Sequence, residues 1–155
     1  MNKAIIAVAA ALMVTACGED AEPEQTVKDL MAKEVQPTAK IYWDSVQFIS
    51  DETGDHDVFP KTDADWKRTK DAAIRISDLA ELLKTPGYAE GRNEDWTTFA
   101  NSLGDVARMA EQAAEDRDTD KIFEVGGTMY NVCSACHQVY PATTGPEAEA
   151  TDQAA

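Results

Sequence analysis

The sequence predicts an all-α fold, an antiparallel four-helix bundle, on three observations. Apolar residues recur at three- and four-residue steps through four separate segments, most connections between those segments are short, and no convincing run alternates apolar with polar residues or concentrates β-branched side chains. Four amphipathic helices that each bury one face are satisfied most simply by packing antiparallel around a shared core.

The first helix is expected from about Glu24 to Ser50, with Val27, Leu30, Met31, Val35, Ile41, Tyr42, Val46 and Ile49 along it. Pro37 interrupts it, and because proline lacks the backbone donor and costs about 3 kcal/mol inside a helix, a kink or a junction of two helices is expected there. A longer loop, Asp51 to Thr62, follows. The second helix spans about Asp63 to Lys84, carries Trp66, Ala73, Ile76, Ala80 and Leu83 on one stripe, and is stopped by Pro86-Gly87. Asn93 is a natural cap for the third, in which Trp96, Phe99, Leu103, Val106 and Ala110 recur to about Glu115. After a turn at Arg117-Asp118 the fourth begins near Asp118 or Thr119. Its stripe is Ile122, Gly126, Met129, Cys133, Cys136 and Tyr140, with Phe123, Tyr130 and His137 one position over.

The two ends read differently from the middle. Lys3, the apolar run Ala4 to Val14 and the small residues before Cys17 have the layout of a secretory signal peptide, 1–16, too short to span a bilayer, which takes roughly 20 residues. Val14-Thr15-Ala16-Cys17 resembles the bacterial lipobox, which implies cleavage before Cys17 and lipidation of its thiol. Residues 17–24 then form a short acidic tether, 25–140 the folded domain, and 141–155 an acidic disordered tail without a large apolar residue. The expected location is the periplasmic side of a bacterial cell-envelope membrane, held there by the lipid anchor.

Charge narrows the partners. The chain has 14 basic and 29 acidic residues, and losing Lys3 with the signal leaves a net charge of −16. Nucleic acid is excluded as a partner, because its phosphates must be met by a basic face. A redox protein partner with a basic face suits such a surface, and so does plain solvation with no partner. A homodimer is left open.

Cys133-Ser134-Ala135-Cys136-His137 is a C-x-x-C-H sequence, the attachment signal for c-type haem. Thiols three residues apart on a helix point the same way and can add to the two vinyl groups of one haem, and the next residue presents its imidazole to the iron. The competing reading is a thioredoxin-like redox pair with a chance histidine, which belongs with a strand-helix fold not seen here. A structural zinc site lacks further Cys or His ligands beyond His56. Gly126-Gly127, one to two turns earlier, costs about 1 kcal/mol per glycine and points to close approach, by the cofactor or by another helix.

A haem motif on the last of four helices, followed three residues after its histidine by an aromatic, resembles the class II cytochromes c, the cytochrome c′ group. The residues are Cys133, Cys136, His137 and Tyr140, and the likeness covers about Thr26 to Tyr140. Pro141 stands where family members often carry a basic residue, so the last helix is expected to end early. The resemblance implies one covalent haem c on the C-terminal helix, crossed on its other face by the first helix, and no substrate turnover. In low-spin members a first-helix methionine fills the sixth iron position and the protein carries electrons. Five-coordinate members bind nitric oxide or carbon monoxide. Val27 to Lys33 resembles the low-spin pattern with Met31 at the ligand position, although Val27-Lys28 replaces the usual Arg-Gln pair. Met31 also suits a core thioether. Met109, Met129 and His56 are weaker rivals, and Tyr42, Trp66, Trp96, Phe99 and Tyr130 are candidate walls for a macrocycle or ordinary core.

Overall fold

A computed structural model describes Pro23 and residues 25–142. The signal segment, Cys17, most of the tether and nearly all of the tail lie outside the described residues. Within them the chain is largely helical. Thr26 caps the first helix, its hydroxyl accepting from the Asp29 amide at 3.1 Å. The helix runs as α1 (Val27–Leu30), a π-helical turn (Met31–Val35) and α2 (Gln36–Trp43).

The π-turn answers the question that Pro37 poses. In it the Gln36 amide donates five residues back, to the Met31 carbonyl, so the wider turn directly precedes the residue that cannot donate. It also solves a problem of register. Leu30 and Val35 are both buried, yet five residues of α-helix would set them about 140° apart. A wider turn brings both onto the face shared with Ala39 and Tyr42. No break into two helices is needed.

The expected continuation to Ser50 is corrected. The helix ends at Trp43, and residues 47–58 form an antiparallel hairpin of β1 (Gln47–Asp51) and β2 (Gly54–Val58), with Phe48 opposite Asp57 and Ser50 opposite Asp55. The Asp51 carboxylate accepts from the Thr53 amide at 2.8 Å and its hydroxyl at 2.6 Å, and Gly54 takes a positive φ of 114°. That local turn chemistry outweighs the helical spacing of Val46 and Ile49. A lone two-stranded hairpin is marginal in water. This one is pinned by Phe48, whose ring meets Phe59 at 5.7 Å and Phe123 at 4.9 Å, both edge-on.

Helix α3 (Asp63–Leu83) opens with a reciprocal capping box between Thr62 and Asp65. Pro86 does not only follow its end; it begins a one-turn helix, α4 (Pro86–Ala89). Helix α5 (Glu94–Glu115) starts after Asn93, whose side chain makes no capping bond. Asp118 caps α6 (Thr119–Val139), and Pro141 follows its end at Tyr140. The most extensive contact joins α3 to α5 through small side chains. Ala72, Ala73, Ala80, Ala100, Ala107 and Ala110 are buried, and a Cβ on Gly104 would stand 3.6 Å from that of Ala80. Helix α6 packs along α5, and α2 along α3.

The first and last helices meet differently. They touch at few positions, and the central one is a bond from Trp43 Nε1 to the Gly126 carbonyl at 2.9 Å. A Cβ on Gly126 would lie 3.2 Å from the Trp43 ring and 3.7 Å from Tyr42, whereas a Cβ on Gly127 would meet nothing within 4 Å. Gly126 is therefore there for helix packing. Gly127→Ala should raise unfolding free energy by about 0.5–1 kcal/mol through helix propensity alone. Gly126→Leu should lower it by about 1–3 kcal/mol through overpacking. Urea titrations of the two variants check this pair of opposite signs.

Candidate functional site

One end of the fold gathers five chain segments around a chain of polar and ring contacts. The Tyr88 hydroxyl donates to the Gln25 carbonyl at 3.1 Å, just before α1. The Arg92 guanidinium donates to the Tyr88 carbonyl at 2.6 Å and lies 4.5 Å over the Trp96 ring. Trp96 is buried, donates its indole N–H to the Leu83 carbonyl at 2.6 Å, and meets the Tyr140 ring edge-on at 5.1 Å. The start of the first helix, the end of α3, α4, the start of α5 and the end of α6 thus share this end.

Cys133, Cys136 and His137 occupy the last two turns of α6, so they lie at it too. Both cysteines are free thiols and half-buried, and Cys133 packs against the core. Their three-residue spacing sets both on one side of the helix, and His137, one step round, is exposed. Burial pushes both thiols above the ordinary cysteine range, and for Cys133 the neighbouring Cys136 adds to it. Among the described residues no three His, Cys, Asp or Glu side chains are gathered to hold a bare metal ion. Two thiols with one imidazole suit a group that brings most of its own iron ligands, as haem does.

Two further observations bear on that fit. The Tyr140 hydroxyl, three residues after His137, is buried without a hydrogen-bond partner among the described residues, and so is that of Tyr42. An unpaired buried hydroxyl costs about 1–3 kcal/mol, so the Tyr140 hydroxyl suits a group with a polar edge at this end, whereas that of Tyr42 lies along α6 beside Gly126. Burial also raises the Tyr42 hydroxyl well above the ordinary tyrosine range, which keeps it a donor. Met31, at the head of the π-turn on the second turn of the first helix, is half-buried against the core at this same end.

The rivals to Met31 are less well set. Met109 is 47 % exposed on α5. Met129 is fully buried on α6 itself. His56 is exposed on β2, 3.7 Å from Asp51, in a hairpin pinned to Phe123. Fourteen residues separate Phe123 from His137, about 21 Å along the helix. Among the candidate walls, Trp96 belongs to this end. Trp66 is at the other, with Arg117 6.0 Å over its ring. Phe99 is half-buried on α5, and Tyr42 is core against Gly126.

A cleft of about 470 Å³ lies between α2, β1 and α6, lined by Trp43, Phe48, Ile49, Phe123, Gly127 and Tyr130 among others. Sequence periodicity pointed to Tyr130 but not to Trp43 or Phe48. Trp43 sits beside the apolar stripe of the first helix, and Phe48 belongs to the unforeseen hairpin. The heptad spacing of Phe123, Tyr130 and His137 is the signal that would have found the cleft's α6 wall.

The chain matches no family model, no curated protein and no solved structure.

The raised thiols have a direct consequence for their reactivity. At neutral pH Cys133 and Cys136 carry less thiolate than an ordinary cysteine, and the deficit closes only as pH climbs past the ordinary thiol range. Iodoacetamide should therefore label both slowly at neutral pH, and labelling at the rate of an unstructured cysteine peptide would contradict the burial described.

Proposed function

We propose that this chain is a c-type cytochrome of the class II kind, an antiparallel four-helix bundle that carries single electrons on the periplasmic side of a bacterial membrane. One haem c is held through thioether bonds from Cys133 and Cys136 and ligated by His137. The observation that carries this reading is the pair of half-buried thiols, on one side of the last turns of α6, beside an exposed imidazole. When bound, the haem supplies an iron that passes between ferrous and ferric forms.

The chain's own residues do the rest. The two thiols fix the cofactor's position on α6, and Trp96, Tyr88 and Tyr140 close that end to water. Met31 offers its thioether as the sixth ligand, and the π-turn sets its place on the first helix. With His137, the Met31 thioether would hold the iron and raise its reduction potential. Cys17 holds the lipid anchor, and the acidic surface favours a partner with a basic face. No substrate is turned over, so the protein is not an enzyme.

Spectra of the oxidised and reduced protein test the assignment. The wild type should be low-spin and resist carbon monoxide. Met31→Ala should turn high-spin, lose potential and bind the gas readily, while Met109→Ala and His56→Ala behave as wild type. A wild type already high-spin and open to carbon monoxide replaces electron transfer with a five-coordinate, gas-binding role.

The anchor is tested separately by detergent-phase partition. Wild type should enter the detergent phase and Cys17→Ser should stay in water, since the acyl chains carried by a lipidated Cys17 supply the two signals that stable anchoring needs. Equal aqueous behaviour would remove the anchor from the account.

A further inference from the structure

We propose that the cleft between α2, the hairpin and α6 is the docking surface for a protein partner that presents an apolar knob fringed by lysine or arginine; this rests on the electron-carrier reading. The cleft is too exposed to be core. Tyr130 is 62 %, Phe123 54 % and Phe48 47 % exposed, and all three line it together with the half-buried Trp43. Apolar side chains of this size gathered in one place mark an interaction site more often than isolated exposed residues do. Gly127 keeps the floor open, since no atom lies within 4 Å of where its Cβ would be.

Charge selects the occupant. Residues directly opposite across a hairpin point to the same side of it. Asp57 therefore shares the side of Phe48, and Asp55 shares that of Ser50 one step further out. Neither carboxylate has an ion-pair partner among the described residues. The hairpin adds Asp51 and Glu52 at its tip and has no lysine or arginine. An apolar groove with an acidic rim is complementary to an apolar patch with a basic rim. A second copy of this chain is disfavoured, because it would bring the same carboxylates together on a chain with net charge −15. The segment after Ala142 has no large apolar side chain with which to fill the cleft.

Position ties the cleft to electron transfer. Tyr130 stands three residues before Cys133, about 4.5 Å along the helix, so the near end of the cleft adjoins the attachment turn. Its far end, at Phe123, is about 15 Å from Cys133 along α6. A protein seated there lies beside the attachment turn, and Met31 is not among the residues that line the cleft.

The test uses the full chain made alongside a cytochrome maturation system, whether or not it retains haem, and, as probe, a lysine-rich mitochondrial-type cytochrome c, with association read by calorimetry at low and high ionic strength. The Asp55→Lys/Asp57→Lys variant should weaken binding roughly tenfold at low salt and little at high salt, where exposed charges are screened. Phe123→Ser should weaken it at both, and in that variant the hairpin keeps its other pin, the edge-on contact of Phe48 with Phe59. Asp78→Lys/Asp105→Lys, which reverses two exposed charges on α3 and α5, neither of which lines the cleft, should stay within about twofold of wild type. Equal weakening by all three variants would mean diffuse attraction with no docking site, and unchanged binding in the cleft variants would overturn the proposal outright. Concentration-dependent dimerisation abolished by Phe123→Ser would assign the cleft to a second copy instead. Calorimetry does not depend on the iron, so failure of docking and failure of the cytochrome reading are separate results.

Discussion

The bond from the Trp43 indole to the Gly126 carbonyl sets how the last helix lies against the first. Elsewhere the helices are held by long faces of small and aliphatic side chains, α3 on α5 above all. The first and last helices lack such a face. They are joined at Trp43, Tyr42 and Gly126, and the glycine has no Cβ because the tryptophan ring already fills its place. From that fixed point the rest of α6 follows by helical geometry. Cys133 and Cys136 fall half-buried near the end where Tyr140 packs on Trp96, and Phe123 and Tyr130 fall on the open side.

The same constraint explains how one helix supports two surfaces. Its buried stripe, Ile122, Val125, Gly126 and Met129, is committed to the core. One step round, Phe123, Tyr130 and His137 repeat every seventh residue and remain exposed. In the proposed cytochrome the thiols lie at the border between the two stripes. They can hold a cofactor that His137 would ligate, while Phe123, Tyr130 and the hairpin meet other molecules. The acidic charge of the hairpin then acts on partner choice and encounter rate more than on stability, since exposed charges contribute little to the fold.

Much of this was legible in the sequence because helical periodicity is a strong signal over long segments. The stripes through Ala73, Ile76 and Ala80, through Trp96, Leu103 and Val106, and through Ile122 and Met129 are buried as their spacing implied. Pro141 ends the last helix where expected. The hairpin was not legible, because Val46 and Ile49 continue a helical step and the carboxylates of 51–57 look like a solvated loop. What decided it was local: Asp51 folding back on Thr53, and Gly54 at a φ open to glycine. Pro37 was legible as a disturbance but not as a π-turn, which depends on Leu30 and Val35 both finding the core. Of the candidate site, the C-x-x-C-H residues were plain from spacing. The aromatic cleft beside them was not, since Trp43 and Phe48 come from different elements that only tertiary packing brings together.

Everything functional in this account depends on the two thiols being the attachment points of one haem. The most direct measurement is to make the protein alongside a cytochrome maturation system, denature it, and extract with acidified organic solvent. The account predicts that haem stays with the polypeptide, and that changing Cys133 and Cys136 to serine releases it. Haem that leaves the wild-type polypeptide in the solvent would contradict it.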